Sequence, residues 1–193
     1  MNQFFSIVLF FTITINCAYL TREPGRPPKV KDVPIPDTLR KIYIQNIQND
    51  SYGEPVHLIL TRQLKEEIDR RGRFIQTRDK ADARFRLYAS VTHYQKIGNI
   101  LDSFGQQMSS EISLIVKYEI KETGSEERIQ LERDEILIRA YYSDQLGYRE
   151  SEEQAQTRML KNLAYRVSEE AENAWYNYVK NKYYKSLSEE SKP

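Results

Sequence analysis

The sequence predicts an α+β fold, a two-layer sandwich with two helices packed on one face of a four- to five-stranded mixed, mainly antiparallel sheet. Three long segments in the middle of the chain alternate apolar and polar residues, as half-buried strands do. Two other segments repeat apolar residues at helical spacing. Apolar residues make up 39% of the chain and charged residues 30%, which is enough apolar material for one core.

The domain begins near Leu39 with a strand, KIYIQNI (41–47), whose isoleucines alternate with polar residues. The turn-rich NDSYGEP (49–55) separates it from a predicted amphipathic helix, VHLILTRQLKEEIDRRG (56–72). Gly72 is a natural stop for that helix, and RFIQT (73–77) is a short strand candidate. The apolar stripe of the helix consists of Leu60, Leu64 and Ile68.

Three longer strands are predicted next, in the segments 84–97, 109–122 and 127–142. ETGSEE (122–127) supplies a tight hairpin between the second and the third. The alternation of the third slips between Leu131 and Ile136, which predicts a β-bulge there. The resulting meander has one polar and one apolar face, and the apolar face needs a cover.

The second helix provides the cover. Ser151 and Gln154 form a capping-box pattern at its start. The helix spans about 28 residues, or roughly 42 Å. Its apolar stripe, at spacings of three and four, consists of Ala155, Met159, Leu163, Val167, Ala171, Ala174 and Tyr178.

The N-terminus predicts export. The apolar run 4–15 is too short to span a membrane but fits a signal peptide. Cys17, the only cysteine, lies where a bacterial lipoprotein precursor carries its lipid-modified residue. We therefore expect a lipoprotein-type signal peptide at 1–16 and lipidation of Cys17. Ordinary cleavage near the same place, or a buried thiol in a protein that is not exported, are the alternatives.

Residues 17–38 are rich in proline and predict an extended tether, although an arm packed on the domain fits the composition equally well. The folded domain is expected over 39–182. The polar segment 183–193 is predicted to be a disordered tail.

The sequence contains no pattern typical of an enzyme. His57 and His93 lie in unrelated elements, and His93 continues the inward register of its strand, which favours a core histidine. Cysteine and histidine spacing of a zinc site, a glycine-rich phosphate loop and a nucleophile elbow do not occur in the sequence. We therefore expect no catalytic residues, no metal and no cofactor. The net charge of +1 does not favour nucleic acid as a partner.

Four segments together resemble the lipopolysaccharide-assembly lipoprotein family, LptE. They are Cys17-Ala18-Tyr19, KIYIQNIQNDSYGEPVHLILTRQLKEEIDRRGRF (41–74), ADARFRLYASVTHYQK (81–96) and SEEQAQTRMLKNLAYRVSEEAENAW (151–175). The similarity covers about residues 17–180. It lies in the order and spacing of these segments, since none of them is a catalytic signature.

The resemblance implies an outer-membrane lipoprotein on the periplasmic side, held by a lipid anchor. Such a protein sits inside the lumen of a large β-barrel partner, LptD, and assists the insertion of lipopolysaccharide, which it contacts. The alternative is a periplasmic lipoprotein adaptor for another envelope assembly or secretion complex. An exported enzyme or small-ligand binder is a third possibility.

Four basic residues outside the predicted core are candidates for contact with anionic lipid. Arg84 and Arg86 are expected on the polar face of one strand, Lys117 on that of its neighbour, and Lys96 at the mouth of the loop 97–108. Arginine pairs with two phosphate oxygens at once, which suits a phosphorylated lipid. The competing interpretation is an ordinary solvated sheet face.

Overall fold

The computed structural model describes residues 27–51, 56–101, 103, 107–143 and 150–185, and the side chains of residues 99–101 and 107–108 are not considered. Its helices and strands follow one another along the chain in the order given next. They are β1 (Lys29–Val30), β2 (Val33–Pro34), a 3-10 turn (Asp37–Leu39), β3 (Lys41–Ile44), β4 (Gln48–Asn49), α1 (Val56–Arg71), β5 (Ile75–Gln76), β6 (Phe85–Leu101), β7 (Gln107–Glu122), β8 (Arg128–Ile129), β9 (Glu135–Tyr142) and α2 (Glu152–Tyr183).

The predicted α+β class is confirmed: α1 and α2 pack against one mixed, mainly antiparallel sheet. This sheet has seven strands, in the order β5-β3-β6-β7-β8, with β4 beside β6 and β9 beside β7. β3 runs parallel to β5 and to β6, and β4 runs parallel to β6. The other pairings are antiparallel. Seven strands exceed the predicted four to five because the two-residue β4 is too short to show alternation and the third long predicted strand is divided into β8 and β9.

The core lies between this sheet and the two helices. Phe85, Leu87 and Val91 of β6 face it and are fully buried, as are Leu163 and Val167 of α2. The predicted stripe of α2 is therefore the packed face. The capping box is present as well, because the side chain of Ser151 accepts from the Gln154 backbone and the Gln154 side chain accepts from the Ser151 backbone.

Trp175 ties α2 to the start of the sheet. Its indole is fully buried and donates a hydrogen bond of 2.9 Å to the backbone oxygen of Leu39. The ring of Phe74 lies 4.8 Å from it between centroids. The two helices are also joined by a buried ion pair, in which Arg71 Nη2 lies 2.8 Å from Glu172 Oε2.

A register shift between Val91 and His93 divides β6 into two halves. The extra residue inverts the faces of the second half. Tyr94 and Lys96 consequently point toward α2, while His93 lies exposed on the opposite face, where its ring is 3.3 Å from Gln95 Oε1. The expected core histidine at this position is therefore wrong, because the alternation does not continue through the bulge.

The third long strand is interrupted rather than bulged. β8 and β9 are separated by residues 130–134, and both pair with β7. The side chain of Glu170 on α2 accepts hydrogen bonds from the backbone N–H groups of Glu132 and Arg133, at 2.8 and 3.2 Å. The break thus receives its hydrogen-bond partner from the helix, and the predicted bulge at this place is wrong.

The chain before the domain packs on it from residue 27 onward. β1 and β2 form a small hairpin, and Val30 and Ile35 are buried in the common core. The hydroxyl of Tyr176 donates to the backbone oxygen of Lys29 at 3.0 Å. Residues 27–38 therefore form a packed arm rather than an extended tether.

Three sequence predictions concern residues outside the described ones. These are the signal peptide at 1–16, the lipidation of Cys17, and the part of the predicted disordered tail 183–193 that begins at residue 186. Tyr183, the first residue of that predicted tail, belongs to α2. In the described part of the chain, no helix is both long enough and apolar enough to cross a bilayer.

Candidate functional surface

One face of the sheet carries the helices, and the other, called the open face here, carries none among the described elements. Alternate residues of β6, β7 and β9 point to it. The bulge in β6 separates two regions of different character. The charged half contains Arg86, Tyr88, Lys117, Glu119, Lys121 and Arg128. The other half is mixed, with the apolar or aromatic residues Ile97, Ile115, Leu137 and Tyr141 beside the polar residues His93, Gln95, Glu111, Ser113 and Arg139.

Acidic side chains accompany the basic ones of the charged half. Arg86 Nη1 lies 2.9 Å from Glu126, and Lys117 Nζ lies 3.3 Å from Glu135. Both carboxylates are well exposed, and so is Lys117, whereas the Arg86 side chain is only 16% exposed. The Lys117 pair therefore interacts weakly through solvent, and the Arg86 pair is screened less.

A shallow groove of about 420 Å³ lies in this half and includes the ring of Tyr88. Lys121 Nζ lies 5.3 Å and Lys80 Nζ 5.7 Å from the centroid of that ring, so two cations flank one aromatic face. A hydrogen bond to Glu119 raises the pKa of Lys121 and keeps it charged. The other polar residues that line the groove are Gln45, Gln48, Ser90, Lys117, Glu119, Arg128 and Asp134.

Two of the four basic residues chosen from the sequence lie on the charged half. Arg86 pairs across the sheet with Lys121, and Lys117 with Ser90. Arg86 and Lys117 are thus separated by four positions along the strands, about 13 Å. Both point to the same side of the sheet.

Arg84 does not share this surface. It lies at the start of β6 and reaches to the end of α2, where it donates to the hydroxyl of Tyr183 at 2.5 Å and lies 2.8 Å from Glu122. The hydrogen bond to Tyr183 raises the pKa of Arg84. Its charge is engaged by an internal network rather than offered on the open face.

This network centres on the carboxylate of Glu122, which is only 2% exposed. Lys182 Nζ donates to it at 2.7 Å and Tyr178 at 2.9 Å, and the hydroxyl of Tyr183 also donates. Burial by itself raises the pKa of Glu122, but these hydrogen bonds outweigh burial and lower the pKa to about 2. The network therefore fastens the last turn of α2 to the β6–β7 pair through an ionised group.

Lys96 also lies away from the charged half. It forms an ion pair with Glu152 in the first turn of α2. Glu152 accepts a further hydrogen bond, 3.0 Å long, from the hydroxyl of Tyr142. The bulge in β6 explains this placement, since it turns the side chain at position 96 from the open face to the helix side.

The sequence analysis does not choose Tyr88, Lys121 and Arg128 as candidate site residues. All three could have been chosen, because each lies within a predicted strand at a position of the polar face. In the described part of the chain, no group of three or more His, Cys, Asp or Glu side chains is placed to hold a metal ion.

A comparison with protein-family models identifies a family that matches this chain. A family model described as LptE, Lipopolysaccharide-assembly, matches residues 39–169. Comparison with curated protein sequences gives no match. The matched region begins at the 3-10 turn, contains α1 and the whole seven-stranded sheet, and ends within α2.

Several solved structures align with this chain over most of their own length. The hypothetical protein CT253 from Chlamydia trachomatis aligns with a TM-score of 0.50 at 10% identity, over 70% of this chain and 96% of that one. The rare lipoprotein B from Shewanella oneidensis aligns with a TM-score of 0.41 at 17% identity, over 71% and 98%. A minor lipoprotein from Acinetobacter baumannii gives 0.43 at 16% identity, over 70% and 92%.

Proposed function

The chain belongs to the LptE family of lipopolysaccharide-assembly proteins, and we propose that it is an outer-membrane lipoprotein that assists lipopolysaccharide insertion by plugging an LptD-type β-barrel. The family match over residues 39–169 is the observation that carries this proposal. The proposed role is non-catalytic, and the fold acts as a scaffold that presents surfaces to the barrel and to the lipid.

The size of the domain is compatible with a plug. A compact domain of about 150 residues has a radius of gyration of roughly 15 Å. Outer-membrane barrels of about 22 strands have lumens that are filled by plugs. The buried ion pair of Arg71 and Glu172 between the helices and the Glu122 network at the end of α2 stabilise one arrangement of the layers. A plug benefits from such a fixed shape.

Lipopolysaccharide contact is proposed for the charged half of the open face. Arg86 and Lys117 carry cations whose present partners, Glu126 and Glu135, are exposed. Phosphate groups carry more negative charge than a carboxylate and accept charge-assisted hydrogen bonds from both residue types. Of the four basic residues chosen from the sequence, these two have the placement that favours the lipid, whereas Arg84 and Lys96 point to the helix layer.

The plug is tested by co-expression with the LptD-type barrel of the same organism and purification in detergent through a tag on the barrel. We expect the two chains to elute together in equimolar amounts and to stay together through size exclusion. A lipoprotein that does not bind the tagged barrel and is recovered in the flow-through, as a soluble oligomer or ring, would contradict the plug and favour the adaptor alternative. Cys17→Ser is the matched control, because a plug held by domain contacts stays in the complex without its anchor.

A further inference from the structure

We propose that the outer edge of β9 is a docking site for the same strand of a second copy of this chain, so that two molecules associate through an antiparallel β9–β9 pair. The pair is centred on Leu137. This inference is independent of the barrel and of lipopolysaccharide.

β9 is a long edge strand. It has eight residues and pairs with β7 on one side, and no described strand pairs with its other side. The other described strands of the sheet that are at least eight residues long are β6 and β7. β7 has partners on both sides, and β6 is covered by β3 and β4 over its first half. A long unpaired edge is a template for another strand.

The free backbone groups of this edge can be assigned. The N–H of Tyr118 donates to the oxygen of Asp134 at 2.9 Å, in the same register that pairs Lys117 with Glu135. Even-numbered residues of β9 therefore exchange hydrogen bonds with β7, because bonding alternates along an antiparallel pair. The N–H and C=O groups of the odd-numbered residues point outward, namely those of Glu135, Leu137, Arg139 and Tyr141.

The side chains of these four residues lie on the open face and are exposed. Leu137 is 47% and Tyr141 54% exposed, so the middle of the edge carries apolar surface. None of the eight residues is a proline or a lysine, but Glu135 and Arg139 are charged and form ion pairs with Lys117 and Glu111 of the same chain. Because charged side chains commonly protect an edge, strand addition here needs a partner whose charges complement these two.

The charged residues of β9 indicate both the partner that docks at this edge and the register of the resulting strand pair. An antiparallel pair centred on Leu137 sets Glu135 of each copy opposite Arg139 of the other, so that both cross-strand pairs are of opposite charge. If the two-fold axis of the pair lay at Arg139 instead, two arginines would stand opposite each other. If it lay at Ile138, Leu137 would stand opposite Arg139. The sequence of β9 is thus self-complementary in one register, with about six new backbone hydrogen bonds.

Disulfide trapping tests the register in the full chain carrying Cys17→Ser, purified in detergent, so that an introduced thiol is the only one. With Leu137→Cys the two Cα atoms lie about 5.5 Å apart at the axis, within the range of a disulfide. Tyr141→Cys is the matched control, since it has similar exposure but its two copies lie about 27 Å apart. We expect Leu137→Cys to form the covalent dimer at least about tenfold faster.

Charge reversal supplies the second readout. Glu135→Arg alone sets like charges across the pair and is expected to slow cross-linking of Leu137→Cys, and adding Arg139→Glu is expected to restore it. Thermal melts establish that each variant is folded. Equal rates for the two thiols, no dimer from Leu137→Cys although maleimide labels it, or no rescue by the double reversal would each overturn the proposal. Trapping of Leu137→Cys on the barrel instead of a second copy, when both are present, would assign the edge to the barrel.

Discussion

Basic residues on and beside the open face differ in how firmly their charges are held. Arg84 interacts with Glu122, a carboxylate that is almost fully buried, whereas Arg86 and Lys117 face carboxylates in solvent. Exposed ion pairs contribute about 0–1 kcal/mol, so their exchange for a phosphate is nearly free of penalty. This difference makes Arg86 and Lys117 the residues to change first.

Changing Arg86 and Lys117 together to Glu is expected to weaken lipopolysaccharide binding at least about tenfold, because two charge-assisted contacts of roughly 1 kcal/mol or more are replaced by repulsion. Binding is measured with immobilised lipopolysaccharide, together with the melting temperature and barrel association, which we expect to be preserved. Arg62→Glu with Lys161→Glu reverses two charges on the outer surface of the helices and serves as the control. Equal loss in both double variants would show a net-charge effect instead of a site.

Glu122 gives the protein a defined response to acid. Its pKa is lowered in the folded state from the ordinary value of 4.5 to about 2. The contribution of this carboxylate to the free energy of unfolding is therefore fully present above pH 4.5 and is lost as the pH falls from there toward 2. The pKa shift corresponds to on the order of 3 kcal/mol of that free energy. We expect the urea concentration at the unfolding midpoint to fall as the pH is lowered over this interval. In Glu122→Gln, this midpoint should depend less on pH. An unchanged slope would exclude Glu122 as its source.

The candidate surface could be predicted only in part from single residues. Alternation placed Arg86 and Lys117 correctly on one polar face, because both lie in uninterrupted stretches of strand. The pairing of Arg84 with a network that includes Tyr183 could not be predicted, since the partners lie far apart in the chain and meet only when α2 packs on the sheet. Contacts of that kind depend on the tertiary arrangement and leave no local pattern.

At the level of elements, α2 holds the fold together through the stripe of buried residues that its sequence shows. Leu163→Asp or Val167→Asp places a charge at a side chain that is at most 1% exposed. We expect each change to cost on the order of 4 kcal/mol, which leaves little of a typical domain's stability. Thermal unfolding followed by circular dichroism measures it. Asn162→Asp introduces the same group at an exposed neighbouring position and should melt like the parent; a similar drop for it would show that the stripe is misplaced.

The elements themselves were predictable where the pattern was long. α2, α1 and the first half of β6 were found because apolar residues recur there over many positions. The prediction failed at Thr92, since one extra residue in β6 inverts every later side chain, and no single residue type marks a bulge. It failed again at residues 130–134, where Glu170 of the distant helix supplies the hydrogen bonds that a strand would otherwise make.

At the scale of the whole molecule, the distance between anchor and domain is limited by the chain. Nine residues, 18–26, lie between Cys17 and the first described residue, Pro27, so that ten Cα–Cα steps join the two. Their fully extended length is at most about 36 Å. A lipid on Cys17 would therefore keep the packed arm, and with it the domain, within about that distance of the bilayer surface.

We predict that Cys17 is acylated and that Cys17→Ser releases the protein from membranes. Each buried methylene of an acyl chain contributes about 0.8 kcal/mol, and stable anchoring takes more than one chain or signal. The described part of the chain contains no helix that could replace the anchor. Metabolic labelling with a fatty acid and fractionation of cells lacking the barrel, so that the plug cannot retain the protein, measure both effects.

Ala18→Ser, which keeps the thiol, is the control and should remain labelled and membrane-bound. Unlabelled parent protein whose N-terminus lies downstream of residue 17 would contradict lipidation and leave ordinary cleavage as the explanation of the apolar N-terminus. Barrel association of Cys17→Ser separates the two proposals, because the anchor can fail while the plug, held by the folded domain, still forms.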